Sequence, residues 1–155
     1  LKARRHARAA TLLLALSLLA ALPARAEQML AFDGFELHYA VIPTNFLTAD
    51  VARRYGLVRG EGRAIVSLSL LRDGQGLLAD TLTGEVKNLL SQVQPLDFQT
   101  VTEGDAVYYL APLRHSDRDT LRFTVQLAPP GGEPRTLRFQ QKLYTDGTEL
   151  KQAGP

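Results

Sequence analysis

Leu121-Arg122-Phe123-Thr124-Val125-Gln126-Leu127 alternates without a break. Leu121, Phe123, Val125 and Leu127 fall on one side, Arg122, Thr124 and Gln126 on the other. Successive strand residues point to opposite faces, so this stretch reads as a strand with one face on a core and one in water. Working outward, residues 35–42 repeat the pattern, with Phe35, Leu37, Tyr39 and Val41 inward and Glu36, His38 and Ala40 outward. In 64–71, Val66, Leu68 and Leu70 oppose Ser67 and Ser69. In 81–87, Leu82, Gly84 and Val86 oppose Thr81, Thr83, Glu85 and Lys87. Weaker strands read at 95–101 and 106–112, and the last runs 135–144, where Leu137, Phe139 and Leu143 share a face.

Turn chemistry separates these runs: Asp73-Gly74, Glu103-Gly104, Pro129-Pro130-Gly131-Gly132 and Asp146-Gly147,. The pattern predicts an all-β fold, an antiparallel immunoglobulin-like β-sandwich of about seven strands, with a small barrel as the alternative closure. One short helix is expected in the long loop after the first strand, residues 43–63. Thr48 can cap it, Asp50 sits in its first turn and Gly56 can end it, which gives helical turns at 49–55,. Val51 and Tyr55, four apart, share a face there. With Phe46 and Leu47 they are expected to be buried as a lid over one end of the sandwich.

The amino-terminal segment is of another kind. Lys2, Arg4, Arg5 and Arg8 open it, an Ala/Leu-rich run from Ala9 to Leu22 follows, and Pro23 precedes Ala24-Arg25-Ala26. Residues 1–26 read as a secretory signal peptide cut between Ala26 and Glu27. The apolar run is shorter than the roughly 18 residues that mark a spanning helix. Leu1 stands where a start methionine would, so the sequence reads as a fragment or as an unusual start codon translated literally. Residues 27–144 form the predicted β-sandwich domain, and 145–155 a polar tail expected to fray.

Charge sharpens the picture. Of the eighteen Lys and Arg, Lys2, Arg4, Arg5, Arg8 and Arg25 lie in the signal, whereas all sixteen Asp and Glu lie beyond it. The processed chain carries thirteen cations against sixteen anions, a formal −3. An acidic domain has no electrostatic reason to hold nucleic acid. No cysteine is present for a disulfide or a lipid anchor, and no second apolar run offers a membrane span after cleavage,. The expected location is the bacterial periplasm.

Motifs of catalysis are absent. The serines after the signal (Ser67, Ser69, Ser91, Ser116) sit in no G-x-S-x-G elbow or S-x-x-K pair, and there is no P-loop or glycine-rich dinucleotide turn,. Glu36 and His38 share an outer strand face, but no third ligand at metal spacing is near. His115 falls in a polar turn. Asp97, Glu103 and Asp105 cluster in sequence without the cleft a glycosidase pair needs. No catalytic, cofactor-binding or metal-ligating residue is assigned, and no cofactor is expected. Arg53, Arg54, Arg59 and Arg63 are the candidate partner contacts, because arginine suits forked contacts with carboxylate or phosphate and all four fall in or border one loop of an acidic domain,.

Gly104-Asp105-Ala106-Val107-Tyr108-Tyr109-Leu110 is similar to the D-x-A-x-Y-Y-C segment that opens the sixth strand of antibody domains,. By this count it is the fifth strand, so the likeness is local. It would place Tyr108 in the core with its hydroxyl tied to nearby backbone.

Three segments carry a wider resemblance: Thr83-Gly84-Glu85-Val86-Lys87-Asn88-Leu89-Leu90; Asp97-Phe98 and the run from Glu103 to Leu110; and Leu137-Arg138-Phe139-Gln140-Gln141-Lys142-Leu143-Tyr144. Together they resemble an exported family of Gram-negative bacteria, domain of unknown function 4426. The resemblance covers the chain after the signal. It implies a periplasmic single domain with no assigned activity and supplies no site residues. In the first segment Glu85 and Lys87 can pair on one sheet face, a surface ion pair worth under about 1 kcal/mol.

The sequence thus points to a periplasmic, non-enzymatic binding or interaction module of unknown partner, either another periplasmic protein or an anionic ligand. The alternative is a small-ligand binder or minor enzyme using the loop at 43–63. An interaction module should expose an apolar patch or an open strand edge, whereas a pocket protein should show a concave site with convergent polar groups.

Overall fold

Alternating strands become a sandwich only if their registers bring the apolar faces into line. In the computed structural model, which describes residues 28–145, they do. Residues 1–27, with the expected signal peptide, and residues 146–155 of the tail lie outside the described residues. β1 (Gln28–Phe32), β2 (Phe35–Pro43), β3 (Arg63–Arg72), β8 (Ala106–Arg114) and β7 (Gln99–Glu103) pair in that order, with β4 (Gln75–Leu77) also on β3. The second sheet has the order β10 (Arg135–Leu143), β9 (Asp119–Ala128), β5 (Thr81–Lys87), β6 (Val93–Pro95). Every pairing is antiparallel.

Phe123 lies opposite Phe139 on one side and Val86 on the other, and Val125 lies between Leu137 and Gly84. In the first sheet Val66 sits between Val41 and Ala111, and Leu68 between Tyr39 and Tyr109. These rows from both sheets make one core. The order β2–β3–β8–β7 against β10–β9–β5–β6 is that of the immunoglobulin sandwich, A-B-E-D against G-F-C-C′. Two separate sheets exclude the closed barrel.

The strand count rises from seven to ten among the described residues. β1 and β4 are additions, so the helix follows the second strand, not the first. The run 95–101 is not one strand but crosses between sheets. Pro95 is the last residue of β6, and β7 resumes at Gln99 in the opposite sheet. Gly84 makes the crossing fit. A Cβ on it would stand 3.0 Å from Phe98 Cε2 and 3.2 Å from Leu96 Cδ1, while its carbonyl accepts the Leu96 N–H at 2.9 Å. The last strand stops at Leu143, one residue short of the sequence expectation.

A turn of 3-10 helix (Thr44–Phe46) leads to α1 (Ala49–Arg54). Thr48 caps α1 by accepting the Val51 N–H at 3.3 Å, and Gly56 ends the segment at φ +65°, as the sequence indicated. The lid does not close an end of the sandwich. It faces the outer surface of the first sheet, because that surface is apolar in its middle: Ile65 is 3% exposed and Leu110 8%, on the side of their strands opposite the core rows. Ala52 is buried and Leu47, Val51 and Tyr55 half-buried, whereas Phe46, expected inside, is 48% exposed.

Candidate functional site

The arginine loop comes apart in space. Arg53 and Arg54 end α1, Arg59 is exposed in the loop beyond, and Arg63 opens β3 opposite Arg114. Arg53 pairs with Asp50, and Arg54 Nη1 lies 3.6 Å from Glu103 Oε1. Glu103 also accepts the Tyr55 hydroxyl, and Gln99 Nε2 donates to the Tyr55 carbonyl at 2.8 Å. Those three contacts clasp α1 to β7. Glu103 holds the Tyr55 hydroxyl above its ordinary pKa of 10.0, with desolvation adding and Arg54 opposing,. Beneath the clasp is a mainly apolar groove of about 210 Å³ whose lining includes Ile42, Leu47, Val51, Val101 and Leu110.

A second feature, not singled out from sequence, stands at the end of the β5–β6 hairpin. Residues 88–92 make its tip. The Asn88 carboxamide oxygen accepts the N–H of Leu90 and of Gln92, both at 3.0 Å. Its nitrogen donates to Gln92 Oε1 at 2.7 Å, and its carbonyl accepts the Ser91 N–H at 3.1 Å. Ser91 takes the left-handed conformation at φ +62° to close the turn. Asparagine favours turns because its side chain bonds backbone a residue or two onward. Here that bonding spends the polar groups of the tip on itself and leaves Leu89 and Leu90 in solvent, 59% and 80% exposed. Val93, at the foot of the tip, is 53% exposed. The hairpin is anchored behind: Gln94 Oε1 accepts the Arg114 N–H at 3.0 Å and Gln94 Nε2 donates to the Arg114 carbonyl at 3.2 Å.

The remaining sequence candidates fall in separate places. His38 Nε2 lies 3.0 Å from Glu36 Oε2 on the outer face of the first sheet. His115 Nδ1 lies 2.9 Å from the Ser116 carbonyl, in the turn beyond β8. Asp97 precedes β7, while Glu103 and Asp105 flank the turn at its far end. The intervening strand, at about 3.3 Å per residue, separates Asp97 from the other two by roughly 15–20 Å, too far for a glycosidase pair, and Glu103 and Asp105 are both exposed at a hairpin turn. Among the described residues no three His, Cys, Asp or Glu side chains converge on a metal position. The tyrosine expectation is displaced by one residue. Tyr109, not Tyr108, is buried, and its hydroxyl accepts the Ala79 N–H at 2.7 Å. Tyr108 is 38% exposed, since β8 turns Val107, Tyr109 and Ala111 to the core and Tyr108 away.

With this geometry in hand, the sequence matches the family described as Domain of unknown function (DUF4426) over residues 29–146. The chain belongs to the DUF4426 family. A DUF4426 family protein from Pseudomonas aeruginosa PAO1, solved by crystallography, is 32% identical. The match covers 79% of this chain and 98% of that one, at a TM-score of 0.71. FetP of uropathogenic Escherichia coli strain F11 is similar at greater distance. A copper-bound variant shares 14% identity over 76% of this chain and 94% of its own, TM-score 0.55. The as-isolated form, expressed in the periplasm of E. coli, gives 15%, 77%, 94% and 0.54. At such identity the likeness to FetP is one of fold. No curated protein matches the chain.

Proposed function

We propose that this DUF4426 chain is a non-enzymatic binding module of the bacterial periplasm that docks on a larger partner through the β5–β6 tip. The observation that carries this is the exposure of Leu89, Leu90 and Val93 on a turn whose Leu90, Ser91 and Gln92 N–H groups are all bonded to Asn88. Because Asn88 fixes the turn backbone, covering these side chains orders less of the chain than covering a free loop would,. Adjacent exposed apolar groups on one feature, unlike single scattered ones, mark contact sites. The signal-peptide pattern of residues 1–26 supports the location,.

A second reading has its own observation, the groove of about 210 Å³ under the α1 clasp. It would take a small apolar ligand, with Arg54, 3.6 Å from the lining residue Glu103, as the cation beside it.

The test is retention of the processed protein on total envelope extract, membranes included, for the parent, for Leu89→Ser with Leu90→Ser, and for Arg53→Ser with Arg54→Ser. Loss in the leucine pair alone supports the tip. Loss in the arginine pair alone shifts the site to the loop at 43–63. Equal retention of all three refutes both.

A further inference from the structure

The partner of the tip can be narrowed by what surrounds it. This inference rests on the proposed role of the tip and asks what the tip touches. Across the outer face of the second sheet, Gln140, Arg122, Lys87 and Val93 form one row, with Arg122 opposite both Gln140 and Lys87, and Lys87 opposite Val93. This is the last row before the tip, because Lys87 ends β5 and Val93 begins β6. The adjoining row toward the same end holds Lys142 opposite Thr120. The two rows nearest the leucines therefore carry Lys87, Arg122 and Lys142 and no carboxylate. One row further back lie Arg138 and the single acid of this face, Glu85, on either side of Thr124. None of the four cations forms an ion pair with a described carboxylate. The acids of the β8–β9 turn lie off this strip, Asp119 on the inward side of β9 in a pocket shared with Asn88, Gln92 and Val93. Asp117 accepts the Thr145 N–H at 3.1 Å and lies 3.8 Å from Arg118, and Asp119 accepts the Ser116 N–H at 3.5 Å.

An uncompensated basic strip beside two protruding leucines, on a domain whose net charge is negative, has the two components of peripheral membrane attachment. Apolar side chains enter the acyl boundary, and cations stay at the level of anionic headgroups. The shape agrees. Leu90, 80% exposed at the apex of a hairpin, is a projection and not part of a flat patch. A stable protein interface needs about 800 Å² per partner around such anchors, and this end offers charge where that apolar surround would be. The Asn88 frame fixes the projection before contact. We propose that the β5–β6 tip inserts Leu89 and Leu90 into an anionic phospholipid surface, with Lys87, Arg122 and Lys142 on its headgroups.

The chain contains no tryptophan, so Leu90→Trp gives a single reporter at the apex. The processed protein, its amino terminus verified by mass spectrometry, is mixed with vesicles of phosphatidylcholine alone or with 40 mol% phosphatidylglycerol. The expected result is a blue shift of the indole emission of Leu90→Trp and co-sedimentation of the parent on the anionic vesicles only. Binding should fall at least tenfold in Leu89→Ser with Leu90→Ser, and by a similar factor in Lys87→Gln with Arg122→Gln and Lys142→Gln. It should weaken steeply between 50 and 500 mM salt. All these positions are at least partly exposed, and matched circular dichroism and melting of the variants exclude misfolding as the cause. No blue shift and no sedimentation overturn the lipid proposal. If, in addition, envelope extract retains the parent but not the leucine variant after membranes are removed, the tip reads a protein and the docking role survives. If retention is also independent of the leucines, both readings fall.

Discussion

The Tyr109 hydroxyl accepts the backbone N–H of Ala79 at 2.7 Å. Ala79 lies in the connection from β4 to β5, so this bond fastens the chain where it leaves one sheet for the other. Tyr109→Phe keeps the ring and strands the N–H. The expected loss is about 1–3 kcal/mol of unfolding free energy. Tyr108→Phe, one residue away and exposed, should change stability by less than about 0.5 kcal/mol. Urea titration of the two variants checks the pair, and the reverse ranking would place the wrong tyrosine in the core.

Phe123 is 1% exposed and stacks on Phe139, ring centroids 4.5 Å apart and planes 5° from parallel. Tyr39 from the first sheet packs on the same Phe139 ring at 4.6 Å. Phe123→Ala should cost about 3–5 kcal/mol, through lost burial and the cavity it leaves. A variant that melts with the parent would contradict the packing.

At Gly84 the core has no room. Gly84→Val must displace Leu96 and Phe98, at an expected cost of about 1–3 kcal/mol from overpacking, despite the better strand propensity of valine. The same substitution at a solvent-facing position of β5, Thr83→Val, should be neutral within about 0.5 kcal/mol. Thermal melts of both variants decide the matter.

The raised pKa of the Tyr55 phenol gives a pH signature. Subtracting the ultraviolet titration of Tyr55→Phe from that of the parent isolates this one phenol. Its midpoint should lie above 10.0 and return toward 10.0 in Glu103→Gln, since the Glu103 hydrogen bond is the largest cause. The clasp's contribution is complete below the unfolded pKa and is lost as pH rises through the higher folded value. An unchanged midpoint in Glu103→Gln would show that the carboxylate does not set it.

Export makes the simplest measurement. The basic start, the apolar run and Ala24-Arg25-Ala26 predict a cut before Glu27,. Intact mass of the protein recovered from cells should correspond to a chain beginning at Glu27. A soluble cytoplasmic form retaining residues 1–26 would argue against export.

Legibility in the sequence followed the physics of each element. β2, β3, β5 and β9 alternate because one face of each meets the core, and their inward residues could be read directly. β1 lies at a sheet edge with a weak burial contrast, and three-residue β4 is too short to show a period. The lid was misplaced because Ile65 and Leu110 are covered on the face where alternation expects water. The helix itself was readable, since Thr48 and Gly56 act locally. Arg53, Arg54, Arg59 and Arg63 looked like one cluster only along the chain. Leu89 and Leu90 carry no mark of exposure in the sequence, because their exposure depends on what the Asn88 side chain bonds. The turn residue Asn88, with Ser91 three positions on, was the signal available for finding them.

The double hydrogen bond from Gln94 to the Arg114 backbone has a mechanical consequence. Gln94 belongs to the sheet that carries the tip, Arg114 to the other. A pull on Leu90 therefore loads β8 as well as β5 and β6. Peeling the hairpin from its end also breaks these two bonds, so it is a bracket tied to two walls and not a free arm. Whatever grips the tip is held by the whole sandwich.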